Sequence, residues 1–182
     1  MATFGFFKRL FGGGNAAATV EPPDRREKPR EPAREGTRIL IIDDSATIVA
    51  LMRKMLRQDG YTTLEAADAE QGVELAKTER PDLIFLDIVL PGMNGFAALR
   101  IMRRDPATRD IPVIMISGNE HATEQFYAQR IGADDFMKKP FSRSEVFARI
   151  EKLLDADRVP KRREVAAPVV APVVRVPAEP AP

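Results

Sequence analysis

Five short segments rich in apolar or β-branched residues are spaced along the middle of the chain. They occupy residues 38–43, 61–66, 83–86, 111–116 and 136–138. Apolar runs of this length are too short for helices and are typical of strands buried on both faces. The pattern therefore predicts five strands.

The segments between these strands carry apolar residues three or four positions apart, the spacing of one helical face. The first helix is predicted to begin after the capping residue Ser45 and to stop at Gly60. Further helices are predicted at residues 69–78, 96–104 and 123–131, and Ser142 caps a last helix that continues through Leu154. Strands and helices that alternate in this way predict a parallel sheet covered on both faces, with right-handed crossovers.

Four of the predicted strands end in side chains suited to metal or phosphate chemistry. These are Asp43 and Asp44, Asp87, Ser117 and Lys139. Ligands bind outside the carboxyl ends of parallel strands, and in the doubly wound order 2-1-3-4-5 strands one and three flank the switch point. A single aspartate at a strand end often only caps a turn or the next helix. The convergence of all these residues on one edge favours a functional site.

The residue types indicate which chemistry this site performs. Three carboxylates that crowd together resist ionisation unless a cation joins them. Oxygen ligands without histidine or cysteine favour a hard ion, and Mg²⁺ fits best. Lys139 supplies a point charge for a phosphoryl group, and Ser117 supplies a hydroxyl donor. We therefore predict a phosphoryl-acceptor site in which Asp87 is the covalent nucleophile.

Composition narrows the class of protein. The 182 residues have a net charge of +1, which argues against a bulk affinity for nucleic acid. The absence of cysteine excludes disulfides and thiolate chemistry and fits a reducing compartment. No apolar run approaches the roughly 20 residues that cross a bilayer. One domain at residues 37–154 is expected, with no room for a DNA-binding output module after it.

The two ends of the chain differ from the middle. Residues 1–14 predict a short amphipathic segment whose large apolar side chains share one side: Phe4, Phe6, Phe7, Leu10 and Phe11. Residues 4–11 either fold against a membrane surface or a partner's groove, or form a solvated or core-packed arm. The composition of residues 15–36 predicts a flexible linker. The Pro-, Val- and Ala-rich composition of residues 155–182 predicts a disordered tail. The tail's basic cluster, which includes Arg162, is either a contact for phosphate or a solvated linker, and the composition favours the solvated linker.

Four motifs carry a resemblance to a known family. They are Ile-Asp-Asp-Ser at 42–45, Leu-Asp-Ile-Val-Leu-Pro-Gly-Met-Asn-Gly at 86–95, Met-Ile-Ser-Gly at 115–118 and Lys-Lys-Pro-Phe at 138–141. Residues 37–154 resemble the response-regulator receiver domain of two-component systems, and are similar to stand-alone members of chemotaxis and twitching motility. The resemblance implies a flavodoxin-like, doubly wound fold with disordered extensions at both ends.

The resemblance also implies roles for the site residues. Asp87 would accept the phosphoryl group from a sensor histidine kinase. Asp44 and Asp87 would bind Mg²⁺ directly, Asp43 would bind it through water, and the Val89 carbonyl would complete the set.

Two further residues of the site take their roles from the same resemblance. Lys139 would pair with the phosphoryl group, and Ser117 would hydrogen-bond it. The Lys139–Pro140 peptide is expected to be cis. Val89 and Asn119 occupy the positions that tune dephosphorylation in the family.

These roles imply a phosphorylation-switched signalling protein that acts by binding a partner, with chemotaxis or type IV pilus motility as the setting. Self-catalysed phosphotransfer and dephosphorylation would be its only reactions. The downstream target is expected on the Thr123–Ile131 helix, the Phe136–Lys138 strand and the final helix. The expected location is the cytoplasm, with association to a membrane or complex through the N-terminus.

Two other readings of the sequence deserve comparison. A haloacid-dehalogenase-type phosphatase also uses a strand-end aspartate, but that chemistry needs a second aspartate two residues on, where this chain has Val89. A scaffold that has lost the switch has no need to hold mutually repelling acids together. Phe136 stands where many relatives carry Tyr, so signalling through a phenolic hydroxyl is not expected. His121 is expected to be solvated rather than a phospho-donor.

Overall fold

A parallel five-stranded sheet forms the centre of the molecule in the computed structural model, which describes residues 32–118 and 122–162. The strands are β1 (Arg38–Ile42), β2 (Thr62–Ala66), β3 (Leu83–Asp87), β4 (Val113–Ser117) and β5 (Asp135–Lys138). The helices are α1 (Ala46–Gln58), α2 (Ala69–Glu79), α3 (Gly95–Arg104), α4 (Ala122–Arg130) and α5 (Arg143–Glu151). The strand order is β2-β1-β3-β4-β5, which confirms the predicted doubly wound fold.

The sheet separates two apolar layers, because successive side chains of a strand point to opposite faces. Leu40 and Ile84 pack on the face covered by α2, α3 and α4, whereas Ile39 and Leu83 pack on the face covered by α1 and α5. All five residues of β3 and of β4 are buried. Both central strands are therefore enclosed on two faces, as their continuous apolar sequences predict.

Helices α1, α2, α3 and α5 begin at side-chain caps. Ser45 and Ser142 are the N-caps of α1 and α5, and each accepts a hydrogen bond from the amide three residues later. Gly60 follows α1 with a φ of 84°, a left-handed conformation that glycine adopts without strain. The prediction that α5 continues through Leu154 is wrong. The helix ends at Glu151, and Leu154 instead pairs antiparallel with Pro160.

The packed part of the chain extends beyond the predicted boundaries at residues 37 and 154. Ala33 is buried, and its amide donates a 3.2 Å hydrogen bond to the hydroxyl of Tyr61. The Arg34 amide donates to the Arg158 carbonyl at 2.9 Å, and the Lys161 amide donates to the Leu153 carbonyl at 2.8 Å. The predicted linker and tail are therefore too long at their inner ends. The amphipathic segment at 1–14 and residues 163–182 lie outside the described residues.

Arg162 is fixed to the domain, which corrects the expectation that it is solvated. Its Nε lies 3.2 Å from Oδ1 of Asp134, a carboxylate whose side chain is fully buried. The other Asp134 oxygen accepts from Arg103 Nη2 at 2.8 Å and from the Val113 amide at 2.9 Å. Burial lowers the pKa of Arg103 to about 10, with Asp134 opposing the shift and Arg162 adding to it. Two arginines thus share one buried carboxylate.

No helix within residues 32–118 and 122–162 is both long and apolar enough to span a membrane.

Candidate functional site

The predicted acids meet at the carboxyl ends of β1 and β3. The two strands are paired in parallel, with Ile42 opposite Leu86, so Asp43 and Asp87 follow at neighbouring positions. One carboxylate oxygen from each of Asp43, Asp44 and Asp87 lies within 4.8 Å of the others. Asp43 and Asp87 are buried, whereas Asp44 is exposed.

Lys139 joins this cluster from the end of β5. Its ammonium donates a 2.7 Å hydrogen bond to Oδ2 of Asp87 and lies 2.8 Å from Oδ2 of Asp43. The backbone holds the lysine in place, because the Lys139 amide donates to the Ser117 carbonyl at 2.8 Å. One lysine therefore faces two buried carboxylates.

The electrostatic balance of the cluster favours a charged lysine. Burial lowers the pKa of Lys139, but the contacts to Asp43 and Asp87 outweigh it, and the net shift is upward. Burial raises the pKa of Asp87, and the hydrogen bond and charge of Lys139 offset only part of that effect. The nearby Asp43 carboxylate raises it further. Asp87 is thus an acid whose ionised form lacks full compensation from the protein.

The donor set fits a hard divalent cation. Asp43 Oδ2 is buried and accepts no hydrogen bond from the described residues; its 2.8 Å contact with the Lys139 ammonium is an ion pair without hydrogen-bond geometry. A buried anionic oxygen without a directed donor, beside two further carboxylates, is the arrangement that Mg²⁺ satisfies. The Val89 amide lies 3.4 Å from Oδ1 of Asp87, which places this residue at the rim. The role of the Val89 carbonyl as a Mg²⁺ ligand stays a prediction.

The loop after β3 approaches Asp87 closely because Gly95 has no side chain. A Cβ at Gly95 would lie 2.1 Å from the carbonyl oxygen of Asp87. The Gly95 amide also donates to the Ile88 carbonyl at 3.0 Å, and Asn94 caps α3. The glycine is therefore required for the path of the chain around the acid.

Ser117 lies one position beyond Ile116, the residue that pairs with Asp87 across β3 and β4. It is fully buried, and its hydroxyl donates a hydrogen bond to the carboxylate of Glu124 in α4. The sequence reasoning missed Glu124, because no pattern linked it to the strand ends. Its position in the first turn of a helix that follows a site strand was the available signal.

The comparisons with known proteins agree with this geometry. Residues 39–151 match the family described as the response regulator receiver domain. The chain belongs to this family. The resemblance predicted from the four sequence motifs is confirmed, and the cis peptide bond between Lys139 and Pro140 is present in the receiver domain as expected.

Two curated relatives illustrate the range of matches. Protein PilH of Pseudomonas aeruginosa is 38% identical over 117 residues, which cover 64% of this chain and 97% of PilH. The alkaline phosphatase synthesis transcriptional regulatory protein PhoP of Bacillus subtilis is 36% identical over 131 residues, which cover 72% of this chain and 51% of PhoP. The chain spans about half the length of PhoP, and about half that of the transcriptional regulators RpaA of Synechocystis and PhoB of Pseudomonas aeruginosa.

Solved structures share the fold of this receiver domain. The receiver domain of the sensor histidine kinase PA1611 of Pseudomonas aeruginosa is 32% identical, with a TM-score of 0.59 and coverage of 64% of this chain and 95% of that one. That structure has a magnesium ion coordinated in its active site cleft. A CheY-like receiver domain of Methanospirillum hungatei is 27% identical, with a TM-score of 0.60 and coverage of 65% and 93%.

The predicted output surface lies within the described residues. Phe136 in β5 is already buried within the apolar layer under α4. Phe126 in α4 is 62% exposed, and the Arg130 guanidinium lies 5.7 Å from the centre of its ring. His121 and Asn119 lie outside the described residues.

Proposed function

We propose that this receiver domain is a phosphorylation-switched signalling protein whose Asp87 accepts a phosphoryl group from a sensor histidine kinase. The observation that carries the proposal is the Asp87 carboxylate at the end of β3, held by Lys139 beside two further acids. Membership of the receiver family supports it. The proposed location is the cytoplasm.

The described residues support a direct transfer. An oxygen of the Asp87 carboxylate attacks the phosphorus of a phosphohistidine, the P–N bond breaks, and the imidazole leaves with the bonding electrons. An acyl phosphate remains on Asp87. Lys139 already contacts Oδ2 of Asp87, so its charge is in place to offset that of the incoming phosphoryl oxygens. The Ser117 hydroxyl would donate to a second phosphoryl oxygen.

A bound Mg²⁺ would supply charge neutralisation for the phosphoryl oxygens. Asp44, Asp87 and the Val89 carbonyl would hold the ion directly, and Asp43 would hold it through water. The exposure of Asp44 leaves its carboxylate accessible to an ion from solvent. Self-catalysed phosphotransfer and dephosphorylation are the only reactions that we assign to the chain.

Binding of beryllofluoride, a mimic of the phosphoryl group, tests the proposal. Fluorine NMR of the wild type should show a bound species that requires Mg²⁺. Asp87→Asn and Lys139→Ala should lose it. Asp110→Asn is the matched control, because that carboxylate is 83% exposed and pairs only with its neighbour Arg109 among the described residues. Failure of the wild type to bind would contradict the proposed function.

The output surface proposed for a downstream protein comprises α4, β5 and α5. Gln125, Phe126 and Gln129 of α4 and Lys138 of β5 are exposed and available to a partner. Hydrogen exchange of the beryllofluoride complex should change in these elements. Changes confined to α1 would refute this surface. Phe136 of β5 is buried and is therefore not part of this exposed surface.

The pathway and the attachment of the N-terminus are finer parts of the proposal. The four motifs resemble those of stand-alone members of chemotaxis and twitching motility, and this resemblance, together with the match over 97% of PilH, supports a setting in chemotaxis or type IV pilus motility. We also propose that residues 4–11 attach the domain to a membrane surface or a partner. Co-sedimentation with liposomes that is unchanged by Phe7→Asp would remove the membrane version, and the partner version would then be tested by a pull-down.

A further inference from the structure

Glu124 is an acidic group that touches the proposed machinery without belonging to the acid cluster. It lies in the first turn of α4, and its Oε2 accepts a hydrogen bond from the Ser117 hydroxyl at the end of β4. Ser117 is fully buried, and Glu124 is partly buried. A hydroxyl that donates to a carboxylate forms a charge-assisted bond, which is stronger than a bond between neutral groups.

This hydrogen bond occupies a group that the proposed reaction needs. A serine hydroxyl carries one proton and so donates to one acceptor at a time. In the proposed function the proton of Ser117 is donated to an oxygen of the phosphoryl group on Asp87. While the Ser117 hydroxyl donates its hydrogen bond to Glu124, the phosphoryl oxygen has to compete for that bond.

We propose that Glu124 is a positioning residue that holds the Ser117 hydroxyl in the unphosphorylated protein and competes with the phosphoryl group for its proton. The inference rests on the proposed function. The exchange requires no covalent change, because the proton stays on Ser117 and its O–H bond turns from one acceptor to the other. Glu124 belongs to α4, so release of the bond also changes a contact made by the first turn of the proposed output helix.

The affinity for beryllofluoride at saturating Mg²⁺ measures this competition. Glu124→Ala should bind about tenfold more tightly than the wild type, which is equivalent to about 1.4 kcal/mol. Glu124→Gln should fall between the two, because its amide oxygen still accepts a hydrogen bond but carries no charge. Gln125→Ala is the matched control on the exposed side of the same helix and should bind like the wild type.

A second background separates the hydrogen bond from a simple charge effect. If Glu124 acts through Ser117, Glu124→Ala should change nothing in a Ser117→Ala protein. An equal gain in both backgrounds would show that Glu124 only repels the ligand, and the proposal would be wrong. An unchanged affinity of Glu124→Ala in the wild-type background would overturn it as well.

Urea unfolding without metal or ligand tests the contact independently of phosphorylation. The wild type, the two single alanine variants and the double variant form a thermodynamic cycle. A favourable coupling between Ser117 and Glu124 is expected, and a coupling of zero would overturn the inference. If the coupling is present but the wild type does not bind beryllofluoride, the proposed function fails while the hydrogen bond stands.

Discussion

The single positive charge of Lys139 has to compensate the negative charges of two buried carboxylates. Its ammonium lies 2.7 Å from Asp87 and 2.8 Å from Asp43, and the exposed Asp44 adds a third negative group nearby. The protein thus compensates its acids incompletely, which agrees with the raised pKa of Asp87. The three carboxylates and the single lysine therefore favour the binding of a cation or a change in the charge of the site.

Asp87→Asn should bind Mg²⁺ more weakly and yet melt at the same or a higher temperature in metal-free buffer. The substitution removes a ligand, and it also removes a charge that burial disfavours. The raised pKa means that folding favours the protonated acid, so ionisation near neutral pH costs stability that the amide does not lose. Calorimetric titration with Mg²⁺ and a thermal melt in chelator measure the two effects. A clear loss of metal-free stability would make Asp87 a structural residue.

Val89→Asn should speed loss of the phosphoryl group by roughly tenfold, equivalent to about 1.4 kcal/mol of barrier. Val89 is 66% exposed and its amide lies 3.4 Å from Asp87 Oδ1, so its side chain stands at the entrance to the acid. Valine cannot orient an attacking water, whereas an amide can. The decay of phosphorylated protein by intact mass measures the rate. Val89→Ile, which keeps an apolar side chain, is the control, and decay of Val89→Asn at the wild-type rate would contradict this reading.

At the scale of elements, the segment after α5, residues 152–162, packs against the domain. Leu154 pairs with Pro160, and Arg162 reaches Asp134, which precedes β5. Arg162 also donates to the carbonyls of Arg109 and Gly132, at 3.0 Å and 3.4 Å. The segment is therefore joined to the loops that precede β4 and β5.

Arg162→Ala should lower the free energy of unfolding by about 1 kcal/mol, since Asp134 keeps its bond to Arg103. Asp134→Ala should cost about 3 kcal/mol or more, because it leaves two arginines without their carboxylate. Urea denaturation gives both values. Lys161→Ala, an exposed neighbour, is the control and should unfold like the wild type. Equal free energies of unfolding for Arg162→Ala and Lys161→Ala would show that the contacts of Arg162 contribute nothing to stability.

These elements show why sequence reasoning succeeded in some places and failed in others. The strands are continuous apolar runs, and the acids directly follow them. Both can therefore be recognised from residues that are adjacent in the sequence. Arg162 stands in a stretch of basic residues and proline, and its partner Asp134 is 28 residues away. The bond between Ser117 and Glu124 crosses from a strand to the following helix. Neither tertiary pairing leaves a periodic pattern in the sequence.

At the scale of the whole molecule, the acid cluster and the two outer ends of the described chain lie on opposite edges of the sheet. The acids follow the carboxyl ends of β1 and β3. Arg34 pairs with Arg158, and the Thr62 amide donates to the Thr37 carbonyl, beside the amino ends of β1 and β2. The described chain therefore begins and ends at the edge of the sheet opposite the cleft around Asp87.

Incubation with acetyl phosphate and Mg²⁺, followed by intact mass, tests the central claim most directly. The donor supplies a phosphoryl group without any kinase, so the outcome depends on this chain alone. The wild type and the exposed control Asp110→Asn should each gain the mass of one phosphoryl group, only when Mg²⁺ is present, and Asp87→Asn should gain none. No gain by the wild type, or an equal gain by Asp87→Asn, would contradict the assignment of Asp87 as the phosphoryl acceptor.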